Sequence, residues 1–230
     1  METTYTPKER IVIVTGHFGS GKTNVAVNLA AKLAAAGKKV AIADLDIVNP
    51  YFRTADDTEL LTGLGVRCII PEFANSNVDI PSIPPEINAV FEETAKDEVC
   101  IFDVGGDDSG AVALGMFAER IKAVGYEMLF VCSMYRPLTE DPADAADLMR
   151  DIEAASHLKC SAVVNNSNIG AETTTENILE SEAYIDRIAE LVGLPVAFCA
   201  AMKELVPEGE RPYLPMFNAT KSIYGGISNL

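Results

Sequence analysis

The chain has 230 residues, 48% of them hydrophobic and 23% charged, a balance that excludes a disordered or low-complexity protein and allows a substantial buried core. Its formal net charge of −16, from 34 acidic against 18 basic residues, argues against nonspecific binding to nucleic acid or anionic membranes, which relies on clustered Lys and Arg. No apolar run approaches a bilayer span and residues 1–10 are polar, so a soluble cytoplasmic protein with no nucleic-acid and no membrane partner is expected.

The first apolar run, Ile11-Val12-Ile13-Val14, reads as a buried strand, and residues 24–36 read as a helix with Val25, Leu29, Leu33 and Ala36 at helical spacing. Between them stands Gly16-His17-Phe18-Gly19-Ser20-Gly21-Lys22-Thr23, with Asn24 next in the helix. This is a complete phosphate-binding loop in the context it requires. A glycine-rich turn between strand and helix aims backbone N–H groups and a helix N-terminus at one point, where an anionic phosphate is stabilised. Lys22 then reaches the β- and γ-phosphates, and the Thr23 hydroxyl can ligate Mg²⁺. A glycine-rich turn that holds nothing does not explain Lys22 and Thr23 together.

Further short apolar runs follow in alternation with helical stretches. Lys39-Val40-Ala41-Ile42-Ala43 is entered through Gly37, which suits a helix C-terminal cap, and strands are also expected over 66–70, 98–102, 128–132, 161–164 and 195–199. All are apolar on both faces, as in a parallel sheet covered on both sides. Asp141-Pro142 supplies an N-cap and a first-turn proline for a helix to about residue 155. Thr173 with Glu176 fits a capping box before a helix ending near Val192, and the proline-rich stretch 80–86 reads as a surface loop feeding a helix. No repeat or linker divides the chain. The expected fold is a single α/β domain over residues 1–230, doubly wound, with a mostly parallel sheet of about seven strands and helices on both faces.

Five cysteines, Cys68, Cys100, Cys132, Cys160 and Cys199, form no tight ligand pair, and each lies in or beside a strand run. Buried, reduced thiols are the expected state.

Binding a phosphate is not yet hydrolysis. In a parallel sheet the strand C-termini share one edge, so residues just after different strands converge there. Asp44-Leu45-Asp46 follows the second strand and Asp103 follows the fourth, inside Asp103-Val104-Gly105-Gly106. Asp103 matches a carboxylate that supports Mg²⁺ through its water shell, with turn chemistry as the plainer role. Gly105 and Gly106 allow a backbone N–H close to a γ-phosphate. Asp46, and less strongly Asp44, is placed to orient water or to hold the Mg²⁺ hydration shell, or else to shape a turn. Asp107 and Asp108 read as solvated loop charges.

Together the phosphate loop, the DxD after strand two and the DxGG after strand four resemble the ParA/MinD (CobQ/CobB/MinD/ParA) group of P-loop ATPases, within the SIMIBI class. The resemblance spans roughly residues 11–207. It implies that the loop binds ATP, that Asp46 lies in a first switch segment and positions the hydrolytic water, and that Asp103 lies beside a second switch. It places Asn165, directly after strand six, where the adenine is read, and leaves Asn166 and Asn168 to shape the turn. The family's early-loop lysine, which reaches a partner's nucleotide across a dimer, is replaced here by His17, so a homodimer is an open state. Arg53 is a substitute cation or a surface residue; Tyr51 and Phe52 are core packing or an effector surface. The sequence Asn165-Asn166-Ser167-Asn168 lacks the Lys and Asp of a guanine-reading NKxD segment, which favours ATP over GTP.

The leading expectation is a Mg²⁺-dependent ATPase acting as a switch for an unknown protein partner, of the maturation or activator type. Residues 222–230 are too short and too weakly charged for a basic membrane anchor. An ATP-dependent small-molecule ligase or kinase is the alternative, with a pocket formed by Ser133-Met134-Tyr135-Arg136-Pro137 in which Arg136 binds a carboxylate or phosphate, or else that stretch is a plain strand-to-helix loop. A third possibility is a pseudo-ATPase that holds nucleotide as a structural element or passive sensor.

Overall fold

The computed structural model describes residues 5–46, 58–70, 85–92, 95–106 and 108–217, with the side chains of Asp108 and Ser109 outside the description. Eight strands form one sheet: β1 (Ile11–Gly16), β2 (Lys39–Leu45), β3 (Arg67–Ile69), β4 (Glu98–Val104), β5 (Tyr126–Cys132), β6 (Ala162–Asn165), β7 (Val196–Met202) and β8 (Tyr213–Met216). Their order across the sheet is β3-β2-β4-β1-β5-β6-β7-β8, and each adjacent pair is parallel. All seven expected strands are present. The eighth was not expected, because four residues carrying Pro215 give a weak strand signal. On an outer strand a proline is tolerated, since its missing N–H leaves no inner ladder broken.

Six α-helices lie among the described residues: α1 (Lys22–Ala35), α2 (Thr58–Gly63), α3 (Asp108–Gly115), α4 (Ala118–Val124), α5 (Pro142–Ser156) and α6 (Thr175–Val192). Alternation along the strands assigns them to two faces. Ile11, Ile13, Phe102 and Phe130 pack with Leu114 of α3, Ile121 of α4, Ile152 of α5 and Ile185 of α6. Val12, Val14, Ile101 and Leu129 pack with Val25 and Leu29 of α1 and Leu61 of α2. Side chains as fully enclosed as Phe102 and Phe130 each contribute about 1.5–3 kcal/mol through burial. Four of the five cysteines are buried here and all are free thiols. Burial pushes the Cys100 thiol up to about 12 and the Cys199 thiol up to about 11, which keeps both protonated and inert at neutral pH.

Caps follow the sequence with one shift. Asp141 accepts from the Ala143 N–H at 2.8 Å and Pro142 opens α5. The capping box of α6 is built by Thr174 and Asn177, one residue after the expected pair. Thr173 is already committed: its hydroxyl donates to Gly170 O at 2.7 Å and accepts from Ile169 N at 2.9 Å, closing the 3₁₀ turn Gly170–Glu172. The end of β8 is tied to α1 by Asn28, buried within the helix, which donates to Phe217 O at 3.0 Å and accepts from Phe217 N at 2.8 Å.

The strand order positions the site. β1 lies between β4 and β5, while its own crossover helix α1 lies on one face and the α3–α4 crossover from β4 to β5 on the other. The chain thus departs in opposite directions around β1, which opens a crevice beyond the strand C-termini.

Candidate functional site: a phosphate loop beneath a cavity

The phosphate loop closes β1 and opens α1, as expected, though the helix begins at Lys22. Gly16 and Gly21 are required by the local geometry. Gly16 has φ +143°, and a Cβ there would lie 2.3 Å from Val131 O on β5; Gly21, at the helix N-cap, has φ +81°, and a Cβ there would lie 2.2 Å from the Asn166 side-chain nitrogen. That nitrogen donates to Ser20 O at 2.7 Å, so the turn after β6 braces the phosphate loop from the side. Lys22 is nearly enclosed, and its Nζ donates to His17 O at 3.0 Å, folding the ammonium over its own loop.

Two carboxylate-bearing segments meet this loop. Asp44 and Asp103 are direct partners in the β2–β4 register, and both are buried. Asp44 Oδ1 accepts from the Asp46 N–H at 2.8 Å and so shapes the turn that presents Asp46. Asp46 borders the cavity described below. Beyond Asp103, Gly106 presses on the phosphate loop: a Cβ there would lie 2.4 Å from Phe18 N and 2.7 Å from Lys22 Nζ. Gly105 faces Asp46, whose Oδ1 would lie 3.1 Å from a Cβ at that position.

A cavity of about 620 Å³ opens above these elements. At one end are Phe18, Gly19, Gly21, Lys22, Thr23 and Asn24; at the other Ile178, Ala200, Ala201, Met202 and Met216 make an apolar slot. Ser133, Arg136, Asn166, Ser167 and Asn168 form walls between them. A polar, amide-rich end joined to an apolar slot suits an amphipathic ligand with an anionic tail and a flat apolar head. The slot was not foreseen, since β8 was missed and β7 was expected to stop at residue 199; both Met202 and Met216 end strands at the shared edge.

The other expected residues separate clearly. Ser20 is buried and its Oγ has no hydrogen-bond partner among the described residues. The His17 side chain is not on the cavity wall, and its carbonyl serves Lys22. Asn165 is also behind the wall. Its Nδ2 donates to Ser181 Oγ at 2.8 Å and Ser181 O at 3.2 Å, while its Oδ1 accepts from Ser167 Oγ at 2.7 Å and Ser167 N at 3.2 Å. Two donors and two acceptor sites are all the amide possesses, so nothing of it remains for a base. Asn166 and Asn168, expected only to shape the turn, also reach the cavity. Arg53, Tyr51, Phe52 and Asp107 lie outside the described residues, as do residues 80–84 of the expected loop over 80–86, while Pro85 and Glu86 open the 3₁₀ helix Pro85–Phe91.

Oxygen donors of the kind a hard divalent cation takes are found on the cavity wall, the Thr23 hydroxyl and the Asp46 carboxylate, with the buried Asp103 carboxylate near the end of β4. This donor set fits Mg²⁺ held partly through water. Among the described residues no helix is long and apolar enough to cross a membrane.

Comparison with known proteins agrees with this geometry. The family model described as the CobQ/CobB/MinD/ParA nucleotide binding domain matches residues 11–197. No curated protein matches the sequence. Among solved structures, the signal recognition particle receptor FtsY from Elizabethkingia anophelis is similar with a TM-score of 0.55 and 18% identity over 95% of this chain. The cell division protein FtsY from Thermotoga maritima is similar with a TM-score of 0.55 and 17% identity over 89%. The signal recognition particle 54 kDa protein from Aeropyrum pernix, in complex with GDP, gives a TM-score of 0.54 and 16% identity over 85%. The chain spans 66% of each of the first two structures and 42% of the third. At such identities the likeness is one of fold.

Proposed function

We propose that this chain, which belongs to the CobQ/CobB/MinD/ParA nucleotide-binding family, works as a single-domain, Mg²⁺-dependent ATPase that switches a protein partner of the maturation or activator type. The observation that carries the reading is the seating of Gly106 on the phosphate loop, with room for a hydrogen but not for a methyl group against Phe18 N and Lys22 Nζ. A γ-phosphate gripped by Lys22 and the loop amides arrives at that same contact. Its presence or loss then moves the segment that leads from β4 into α3, which is how a hydrolysis event becomes a change of surface.

One contact of the Lys22 ammonium is the neutral His17 carbonyl, and an anionic phosphate oxygen is a stronger acceptor than that carbonyl, which draws the ammonium to the nucleotide. Asp46 orients a water in line with the γ-phosphorus. As the water oxygen bonds to phosphorus, the bond to the bridging oxygen breaks, ADP leaves with that electron pair, a water proton passes to an oxygen of the released phosphate, and Lys22 with the loop amides stabilises the charge. Mg²⁺, held by Thr23 with Asp46 and Asp103, would supply neutralising charge at the β- and γ-oxygens. The apolar slot takes the base. Adenine is the base this reading favours, because Asn165-Asn166-Ser167-Asn168 carries neither the Lys nor the Asp of a guanine-reading NKxD segment.

Calorimetry with Mg²⁺ and nonhydrolysable ATP and GTP analogues, paired with phosphate-release assays, tests this. Lys22→Ala should weaken triphosphate binding by at least about tenfold. Asp46→Asn should keep binding and slow phosphate release; unchanged turnover removes Asp46 from the mechanism. A second reading, an ATP-dependent ligase or kinase for a small acid, draws on the presence of Ser133 and Arg136 in the wall. It requires ADP production that depends strictly on the added acid.

A further inference from the structure

Seven arginines lie among the described residues, and six of them commit the guanidinium to a protein partner. Arg67, Arg150, Arg187 and Arg211 pair with carboxylates, Arg10 donates to backbone carbonyls, and Arg120 donates to Asn88. Arg136 is the exception, having no hydrogen-bond or ion-pair partner for its guanidinium among the described residues. In a chain with 34 acidic against 18 basic residues, this exposed arginine makes no ion pair with a described carboxylate.

Its surroundings explain where it faces. Arg136 borders the cavity and, with Lys22, is one of the two cations in the wall. Its side chain lies along the phosphate loop: a Cβ at Gly19 would be 3.7 Å from Nε and 3.8 Å from Cζ. The loop that carries it is fixed rather than loose. Thr139 Oγ1 donates to Ser133 O at 2.8 Å, Thr139 N to Arg136 O at 2.9 Å, and Met134 N to Ser167 Oγ at 2.9 Å. Tyr184 OH on α6 donates to Thr139 O, and Tyr135 OH donates to Asn177 O at 3.2 Å. Ser133, buried in the same wall, has a hydroxyl with no partner among the described residues. A braced loop that presents a guanidinium and an unpartnered hydroxyl to one cavity has the chemistry to hold an anion.

We propose that Arg136 is a second phosphate ligand, acting within its own chain, that contacts the terminal phosphate of the bound triphosphate and so separates ATP from ADP. The proposal rests on the nucleotide reading of the site given above. The physical need is plain, because a triphosphate approaching a protein of net charge −16 meets repulsion that a single lysine offsets only in part.

Calorimetry on the full chain, with Mg²⁺ and either a nonhydrolysable ATP analogue or ADP, tests it in wild type, Arg136→Gln and Arg136→Lys. Arg136→Gln is expected to weaken the triphosphate analogue by about 10- to 100-fold and ADP by less than about twofold, with Arg136→Lys restoring part of the loss. The salt dependence of triphosphate binding should become shallower in Arg136→Gln. Unchanged triphosphate affinity overturns the proposal and returns Arg136 to an anionic second substrate. Equal weakening of both nucleotides also overturns it, because discrimination is then absent. Wild type that binds neither nucleotide takes down the nucleotide reading as well, an outcome distinct from either of these.

Discussion

Replacing Gly106 by alanine isolates the contact between the β4 loop and the phosphate loop. Gly106 does not occupy the left-handed region, so alanine meets no backbone penalty, and the whole effect comes from what the new methyl group touches. Those neighbours are Phe18 N at 2.4 Å, Phe18 Cα at 2.7 Å and Lys22 Nζ at 2.7 Å. Lys22 can swing aside, but two of the three atoms are backbone, so one loop must be displaced. Overpacking of this kind costs about 1–3 kcal/mol, and in a chain of this length each kcal/mol lowers Tm by about 2–4 °C. Strain that the free protein relieves by parting the loops reappears as weaker binding, because the phosphate loop must close on the triphosphate; about 5- to 150-fold corresponds to the same range. Thermal melts of the free protein and calorimetry with a nonhydrolysable ATP analogue read the two shares. Gly63→Ala is the control, at the end of α2 with nothing within 4 Å of its Cβ, and should be neutral or slightly stabilising. If Gly106→Ala matches wild type in both measurements, the two loops do not touch and the switch argument collapses.

Asn166→Ala should lower Tm and loosen nucleotide binding together, since it removes the 2.7 Å bond that braces Ser20 O and leaves that carbonyl without this donor, at a cost of about 1–3 kcal/mol. Equal Tm and affinity to wild type would count against a bracing role. Alkaline stability offers a separate check. Burial raises the Cys199 thiol to about 11 and the Cys100 thiol to about 12, so the folded protein keeps protons that the unfolded chain releases near the ordinary thiol value. This stabilisation is complete below about pH 8.5 and is lost as pH rises through 11 to 12, by up to about 1.4 kcal/mol per pH unit per thiol. Urea midpoints measured from about pH 8 to 11 should fall, and fall less steeply in the Cys100→Ala, Cys199→Ala double variant; identical slopes would refute the assignment.

The phosphate loop was legible because each of its requirements is local. A strand run, glycines for a tight turn, Lys22 and Thr23 on the first helical turn all lie within about a dozen consecutive residues, and short-range sterics fix how they meet. The same holds for the six inner strands, whose apolar character on both faces reports double burial whatever their order. The placement of Asp46 on the cavity and of Gly106 against the phosphate loop follows from their position after strands, and parallel strands leave little freedom in where such residues go.

What the chain order alone left open depends on pairing between distant segments. Whether Asn165 or Asn166 reaches the cavity is decided by Ser181 on α6, which holds the first behind the wall, and by Ser20 O in the phosphate loop, which draws the second to the cavity. Tyr213–Met216 is a strand only because β7 offers an unpaired edge, and its arrival completes the apolar slot with Met216. Arg136 has no local signal that separates it from any other loop arginine; only the packed sheet brings it against Gly19, some 117 positions earlier in the chain. Local sequence therefore determined the phosphate-binding elements, whose geometry is set within a turn or two of backbone. Tertiary packing decided which polar side chains were left unspent to face the cavity, because hydrogen-bond capacity is finite and partners remote in sequence compete for it.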